Sequence, residues 1–434
     1  MTDQPNVLVV FTDQQRWDTC GCYGNEMNLT ANLDALASRG TRMVRAFTCQ
    51  PVCGPARASL QTGLYSTAAG VHVNGPALPP DIPTLAKAFK SAGYDTGYIG
   101  KWHLSHTKTD AVPRELRGGY DHWLGVDTLE HSSHPYEGNL WDSDNQPVTF
   151  ENQYRVDFLT DRAVDFIAAE RENPFFLFLS FLEPHQQNDW NRFVAPEGYA
   201  ERYRDCYVPP DLRGAEGDWR EQLADYYGMV ARIDECLGRL LQALEDKGLS
   251  QETVVLFTSD HGCHFRTRNA EYKRSCHESS LRIPMVFAGP GFDGGGERDE
   301  MASLVDIPPT LLSAAGVEPL AAMHGRDMTP LADGRAEGWK NEIFCQISES
   351  HVGRAIRTDR WKYCVIAPDA ERHAPSAERY RDHHLYDLHN DPYEQTNLVG
   401  RDGYAEIADD LRKRLAERMI AAGEEKPTIE SAWV

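Results

Sequence analysis

The chain has little positive charge: 44 Lys and Arg stand against 66 Asp and Glu, a formal net charge of −22. That excludes nucleic-acid binding through general electrostatics but leaves a local anion site open. No apolar run approaches the length needed to span a bilayer, so no membrane helix is expected. The lead Met1-Thr2-Asp3-Gln4-Pro5 has neither a basic n-region nor an apolar h-region. It reads as no secretory signal, with a cytoplasmic location as the expectation. Ten cysteines (20, 22, 49, 53, 206, 236, 263, 276, 345 and 364) include no C-x-x-C pair, which argues against a zinc ribbon or a thioredoxin-type motif. They read mostly as reduced thiols. There is no G-x-S-x-G elbow, and a plain α/β hydrolase is set aside. Internal repeats and low-complexity tracts are also missing.

What is present is a soluble, globular composition of 434 residues, 41% hydrophobic and 25% charged. Continuous apolar runs mark strands buried on both faces: Val7–Phe11, Phe175–Phe181, Val254–Phe257 and Met285–Ala288. Helical patterns lie between them, ending at Gly40, Gly93 and Gly248. The longest runs from about Glu221 to Lys247. This alternation predicts an α/β fold with a large, mostly parallel central sheet flanked by helices. Residues 186–217 read as a long insertion over the sheet edge. After about residue 335 the pattern changes to strands at 361–366 and 384–388 and a helix near 405–422. The expected organisation is a catalytic α/β domain over 1–335 and a smaller C-terminal α+β subdomain over 336–434.

Ligands of open α/β sheets sit beyond the carboxyl ends of the strands. Four such ends carry chemistry: Asp13-Gln14, Lys101-Trp102-His103, Glu183-Pro184-His185 and Asp260-His261. Asp13, Asp260 and the Gln14 amide offer oxygen ligands, which suit Ca²⁺, Mg²⁺ or Mn²⁺, and His261 also admits Zn²⁺. Singly, Asp13 also reads as a helix cap and Asp260-His261 as turn residues. Cys53-Gly54-Pro55-Ala56-Arg57 has the form C-x-P-x-R and runs into Leu60-Gln61-Thr62-Gly63. Pro55 suits a first helical turn and Gly63 a helix end, which puts Cys53 at a helix N-terminus, where an anion is favoured.

Together these segments resemble the formylglycine-dependent sulfatases of the alkaline phosphatase superfamily. The likeness covers most of the chain. It includes Asn6–Asp13, Asn32–Ala37, Cys53–Gly63, Gly100–Leu104, Thr258–Gly262, Lys273, Glu278–Pro284, Asp306–Leu312 and Leu385–Leu398. The resemblance implies that Cys53 is oxidised to formylglycine by a formylglycine-generating enzyme. As the hydrate it is the nucleophile and touches a divalent metal, usually calcium. Asp13, Asp260 and His261 hold that metal, with Gln14 beside them. Arg57 stabilises the hydrate, and Lys101 and Lys273 bind sulfate oxygens. His103 accepts a proton from the hydrate, and His185 faces the leaving-group oxygen. Asn74 is a further candidate for the sulfate pocket. The implied reaction is hydrolysis of a sulfate monoester, in line at sulfur, with sulfate expelled as the aldehyde re-forms.

Asp13-Gln14 and Asp260-His261 depart from the Asp-Asp and Asp-Asn pairs of many members. They are similar to those of phosphonate monoester hydrolases, which usually lack the Lys-x-His element of Lys101 and His103. A phosphonate or phosphodiester hydrolase is therefore the alternative, and a degenerate glycan-binding protein a third reading. For substrate, Asn188, Trp190 and Arg192 of the insertion offer polar groups and a stacking face, to which His72, Trp102 and His324 could add. Such groups suit sugar hydroxyls, although the same segment reads equally as a polar surface loop; the resemblance to carbohydrate sulfatases implies a sugar sulfate, small or oligomeric, over an aryl sulfate. A homo-oligomer stays open.

Overall fold

The computed structural model describes residues 4–433, so the Met1-Thr2-Asp3 part of the lead lies outside the described residues. In chain order the strands of the larger sheet are β1 (Asn6–Thr12), β2 (Thr41–Phe47), β3 (Asp95–Lys101), β4 (His122–Val126), β5 (Ser133–His134), β6 (Glu137–Asp142), β7 (Pro147–Glu151), β8 (Phe175–Ser180), β9 (Thr253–Ser259), β10 (Arg282–Ile283), β11 (Met285–Ala288) and β12 (Gly296–Ser303). A second sheet contains β13 (Glu342–Ile347), β14 (Gly353–Thr358), β15 (Trp361–Ile366), β16 (Arg379–Asp387) and β17 (Thr428–Glu430). The helices are α1 (Ala31–Arg39), α2 (Cys53–Thr62), α3 (Leu85–Ser91), α4 (Leu129–Ser132), α5 (Arg155–Ala168), α6 (Tyr199–Arg202), α7 (Trp219–Asp246), α8 (Glu278–Leu281), α9 (Ile307–Ala314), α10 (Thr329–Ala332) and α11 (Ala405–Ala421).

The larger sheet runs β10-β2-β11-β9-β1-β8-β3-β4-β6-β5, with β12 on β2 and β7 on β6. Its centre, β9-β1-β8-β3-β4, is parallel throughout. Both flanks turn antiparallel, so the sheet is mixed. The parallel centre explains the unbroken apolar runs. Val7, Val9 and Phe11 enter one core, and Leu8 and Val10 enter the other, on the opposite face. Helices α5 and α7 supply Phe158, Leu159, Ile233, Leu237 and Leu240 to that second core.

Residues 186–217 meet the sheet edge only at their start, where Gln187 Nε2 donates to the Ser133 carbonyl and Trp190 stacks on His134 of β5. The rest packs on α7 and on the segment after β9, where Phe193, Ala195 and Leu212 share a cluster with Leu223, Tyr226, Cys263 and Tyr272. The reason is the apolar side of α7, which extends past the sheet and needs a cover. The second sheet packs α11 through Leu411, Leu415 and Met419. No described helix is long and apolar enough to cross a membrane.

Candidate active site

The registers of the parallel strands bring their ends level. Thr12 pairs with Ser259, Phe11 with Ser180, and Gly100 with Ser180. Asp13, Asp260 and Lys101 therefore leave the sheet on one rim. Helix α2 points its first residue, Cys53, at that rim, and Gly63 ends the helix in the left-handed region at φ 71°. The α2 N-terminus has no side-chain cap from Val52. Instead the Gly54 N–H donates to Asn74 Oδ1 at 2.9 Å.

The Cys53 thiol is the meeting point. Its Sγ lies 3.4 Å from Asp13 Oδ1, 3.4 Å from His261 Nε2 and 2.8 Å from Lys273 Nζ. Lys273 Nζ is also 3.0 Å from His261 Nε2 and 3.3 Å from His185 Nε2. Lys101 Nζ donates to Asp13 Oδ2 at 2.9 Å and pairs with Glu130 Oε1 at 3.1 Å. Arg57 does not reach the thiol. Its guanidinium donates to Asp13 Oδ2 at 3.0 Å, to Ser180 Oγ at 2.7 Å and to the Lys101 carbonyl at 2.8 Å. It thus ties α2 to β1, β3 and β8 at once.

Burial would raise the Cys53 thiol, but Lys101, Lys273 and His261 bring it well below its ordinary value. The pocket therefore favours negative charge on residue 53. Burial also pushes Asp13 up, yet the Lys101 and Lys273 ammonium groups hold it below the usual carboxylate range. Glu130 is pulled down to about 2 against its burial, chiefly by Lys101. Asp260 goes the other way, pushed up by burial and then by the Asp13 charge. Burial, and then Lys273, hold the His185 imidazole below its ordinary value. Its Nδ1–H donates to the Gln186 carbonyl at 2.7 Å, which leaves the Nε2 lone pair facing Lys273.

The residues fit a divalent cation. One ligand atom from each of Asp13, Cys53, Asp260 and His261 lies within 4.8 Å of the others. His261 Nδ1–H donates to the Gly262 carbonyl at 2.9 Å, so its Nε2 lone pair faces the cluster. Asp260 Oδ2 and Gln14 Oε1 are buried without a hydrogen-bond partner. Ligation would satisfy both, and a cation would offset the paired carboxylates that raise Asp260.

Residues 5–317 match the Sulfatase family model, and residues 271–421 match that of the N-sulphoglucosamine sulphohydrolase C-terminal region. The chain belongs to the sulfatase family. It is a sulfuric ester hydrolase with the alkaline phosphatase-like fold. It is 29% identical over 445 residues to an ulvan-active sulfatase of Formosa agariphila, covering 97% of this chain and 82% of the relative. A solved structure in complex with its substrate, D-glucosamine-2-N,6-O-disulfate, superposes with a TM-score of 0.80 at 23% identity, covering 98% of this chain and 99% of the other. The phosphonate monoester hydrolase of Agrobacterium radiobacter superposes at 0.79 with 24% identity, covering 96% of each.

The sulfatase pocket has a volume of about 350 Å³ and is lined by Cys53, Asn74, His103, Glu130, His185, Gln186, Asn188, Asn191, Arg266 and the stretch Ala270–Arg274. Of the residues singled out in the sequence, Cys53, Asn74, His103, His185, Lys273 and Asn188 line this one pocket. Trp102 is not at the rim. It is 1% exposed and packs edge-on against Tyr98, Tyr120 and Trp123. The alternation of β3 explains this, since a residue next to pocket-facing Lys101 points to the other side. Trp190 stacks on His134 instead, and Arg192 is exposed; neither lines the pocket. His72 faces the C-terminal region, with Nε2 3.0 Å from the His373 carbonyl, and His324 stacks on Tyr65. Sequence reading missed Glu130, Arg266, Arg274 and Glu349. Arg274 follows Lys273 directly, which was a usable signal. Glu130 sits in a four-residue helix with no motif around it.

Proposed function

We propose that this sulfatase hydrolyses a sulfate monoester of a carbohydrate, with Cys53 converted to formylglycine and a divalent cation, calcium by its family resemblance, held by Asp13, Gln14, Asp260 and His261. The observation that carries this reading is the Cys53 environment: a helix N-terminus, Lys273 at 2.8 Å and a buried lysine, Lys101, behind Asp13, all favouring an anion there. When bound, the cation supplies Lewis acidity toward the sulfate oxygens, and the aldehyde hydrate supplies an oxygen nucleophile that can be regenerated. Lys273 orients the nucleophile and neutralises sulfate charge. The departing alcohol takes its proton from the Lys273 ammonium or from His185, whose Nε2 lies 3.3 Å from Lys273 Nζ, and the proton that the attacking hydroxyl gives up returns to this pair. His103, which lines the pocket with residue 53, is assigned the proton of the second hydroxyl.

Asn188, Asn191, Arg266 and Glu271 around the mouth offer donors and acceptors suited to sugar hydroxyls. The ulvan-active relative and the glucosamine disulfate complex support that substrate class. A phosphonate monoester hydrolase is the second reading, favoured by the Asp13-Gln14 and Asp260-His261 pairs and by the superposition on the Agrobacterium enzyme. The test begins with mass spectrometry of the tryptic peptide Ala46–Arg57, in which Cys49 is an internal thiol control. The reading expects an aldehyde at residue 53 alone, and faster turnover of sulfated sugars than of matched phosphonates. An intact Cys53 thiol in active protein, or a preference for the phosphonate, would sink it.

A further inference from the structure

A second cluster of metal-binding side chains lies away from the pocket. Cys276, Cys364 and His384 each present a ligand atom, all within 4.8 Å of one another. Cys276 Sγ is 3.7 Å from His384 Nδ1. In a tetrahedral zinc site, bonds of about 2.3 Å to sulfur and about 2.0 Å to nitrogen put these atoms about 3.6 Å apart. The three residues come from separate places. Cys276 follows the Lys273 segment, Cys364 is on β15, and His384 pairs with it on β16. The register shifts between Cys364 and Val365, which leaves His383 without a partner across the pair. Such a bulge re-aims the side chains beside it.

The surroundings point to a ligand as well. His277 Nδ1 and His351 Nε2 are buried with no hydrogen-bond partner. The His277 ring centroid is 5.3 Å from that of His384, and the His383 ring is 4.0 Å from it and 5.7 Å from His351. Room for His351 depends on Gly353, where a Cβ would lie 3.0 Å from His351 Nε2. Two thiols among crowded imidazoles, two of which have an idle buried nitrogen, form a soft donor set unlike the oxygen-rich active site.

We propose that Cys276, Cys364 and His384 bind a structural Zn²⁺ ion, with the crowded imidazoles of His277, His383 and His351 as the donors available for the fourth position. The ion pins the C-terminal sheet to the segment that carries Lys273, three residues before Cys276. The proposal is independent of the reaction assigned to the pocket.

The test uses the full chain carrying Cys53→Ala and Asp260→Asn, which removes the thiol and a carboxylate of the active site. Zinc is counted by elemental analysis after dialysis against the metal and then against buffer. One equivalent per chain is expected, together with a thiolate-to-cobalt charge-transfer band when Co²⁺ replaces Zn²⁺. Adding Cys276→Ser, or the milder His384→Gln should the serine variant misfold, is expected to abolish both signals. No zinc retained in the parent variant overturns the proposal. So does a Cys276–Cys364 disulfide found by mass spectrometry without reductant, or signals that survive both further substitutions.

Discussion

Lys273 is the residue on which the pocket's electrostatics converge, since its Nζ contacts Cys53, His185 and His261 together. Its backbone is fixed as firmly as its side chain. His264 Nε2–H and Asn269 Nδ2–H both donate to the Lys273 carbonyl, at 3.0 Å and 2.9 Å. Lys273→Ala is expected to lower kcat about 10²–10³-fold, the usual effect of removing one preorganised donor to developing charge. Steady-state kinetics with an unchanged melting temperature would support this, and a kcat within a few-fold of wild type would refute it. Trp102 makes the opposite case. Its neighbours Lys101 and His103 are in the site, yet its own ring is in the core. Trp102→Ala should cost about 3–5 kcal/mol in stability by leaving a cavity. Urea unfolding checks the value, and a loss below about 1 kcal/mol would contradict the packing. The motif around residue 101 was legible in the sequence, but the facing of its middle residue was not. Facing depends on the strand's register, and β3 is too short and glycine-rich to reveal it.

At the scale of elements, what the sequence showed was burial on both faces. The four apolar runs became β1, β8, β9 and β11, and the long helical stripe became α7. Strands that hide charge were missed. β14 reads Gly-Arg-Ala-Ile-Arg-Thr and looks exposed, yet it is buried throughout because Arg354 pairs with Glu424 and Arg357 with Glu278. β12 was missed for a different reason: it is a partly exposed strand, and its alternation is broken by a shift between Arg298 and Met301. Asp234 on α7 shows what a buried charge does for a neighbouring helix. Its carboxylate accepts from the Asn32 and Leu33 N–H groups at 2.9 and 2.8 Å, capping α1 from outside. Burial still pushes its pKa up, from 3.8 to about 6. A group raised on folding contributes stability that is complete below pH 3.8 and is lost as pH rises through about 6. Asp234→Asn removes this dependence. The variant should gain on wild type by on the order of 2–3 kcal/mol between pH 4 and 7, read from urea midpoints at both ends. A constant difference between the two proteins across that range would show that Asp234 does not titrate as described.

Across the whole molecule, the second sheet does more than cover the first. Glu349, in the turn after β13, reaches into the pocket wall. Its carboxylate accepts the Asn74 N–H at 2.6 Å and the Arg274 Nε–H at 2.7 Å. Those two residues line the pocket with Cys53, and Asn74 in turn accepts the Gly54 N–H at the start of α2. Nothing in the sequence around Glu349 signals this, because the contact spans 275 positions and exists only once both sheets are assembled. Removing the carboxylate leaves a largely buried backbone N–H unpaired and releases Arg274 to its remaining partner, Glu271. The stability penalty should be about 1–3 kcal/mol. The kinetic effect should be larger than so distant a residue would suggest, with kcat/KM falling about tenfold, about 1.4 kcal/mol in transition-state binding. Glu349→Gln keeps an acceptor for Asn74 and should recover part of the loss, whereas Glu349→Ala should not. Kinetics of the two variants alongside their melting temperatures decide the matter. Equal kcat/KM in Glu349→Ala and wild type, with only the melting temperature lowered, would reduce the second sheet to a scaffold. A graded loss from wild type through glutamine to alanine would make it part of the site.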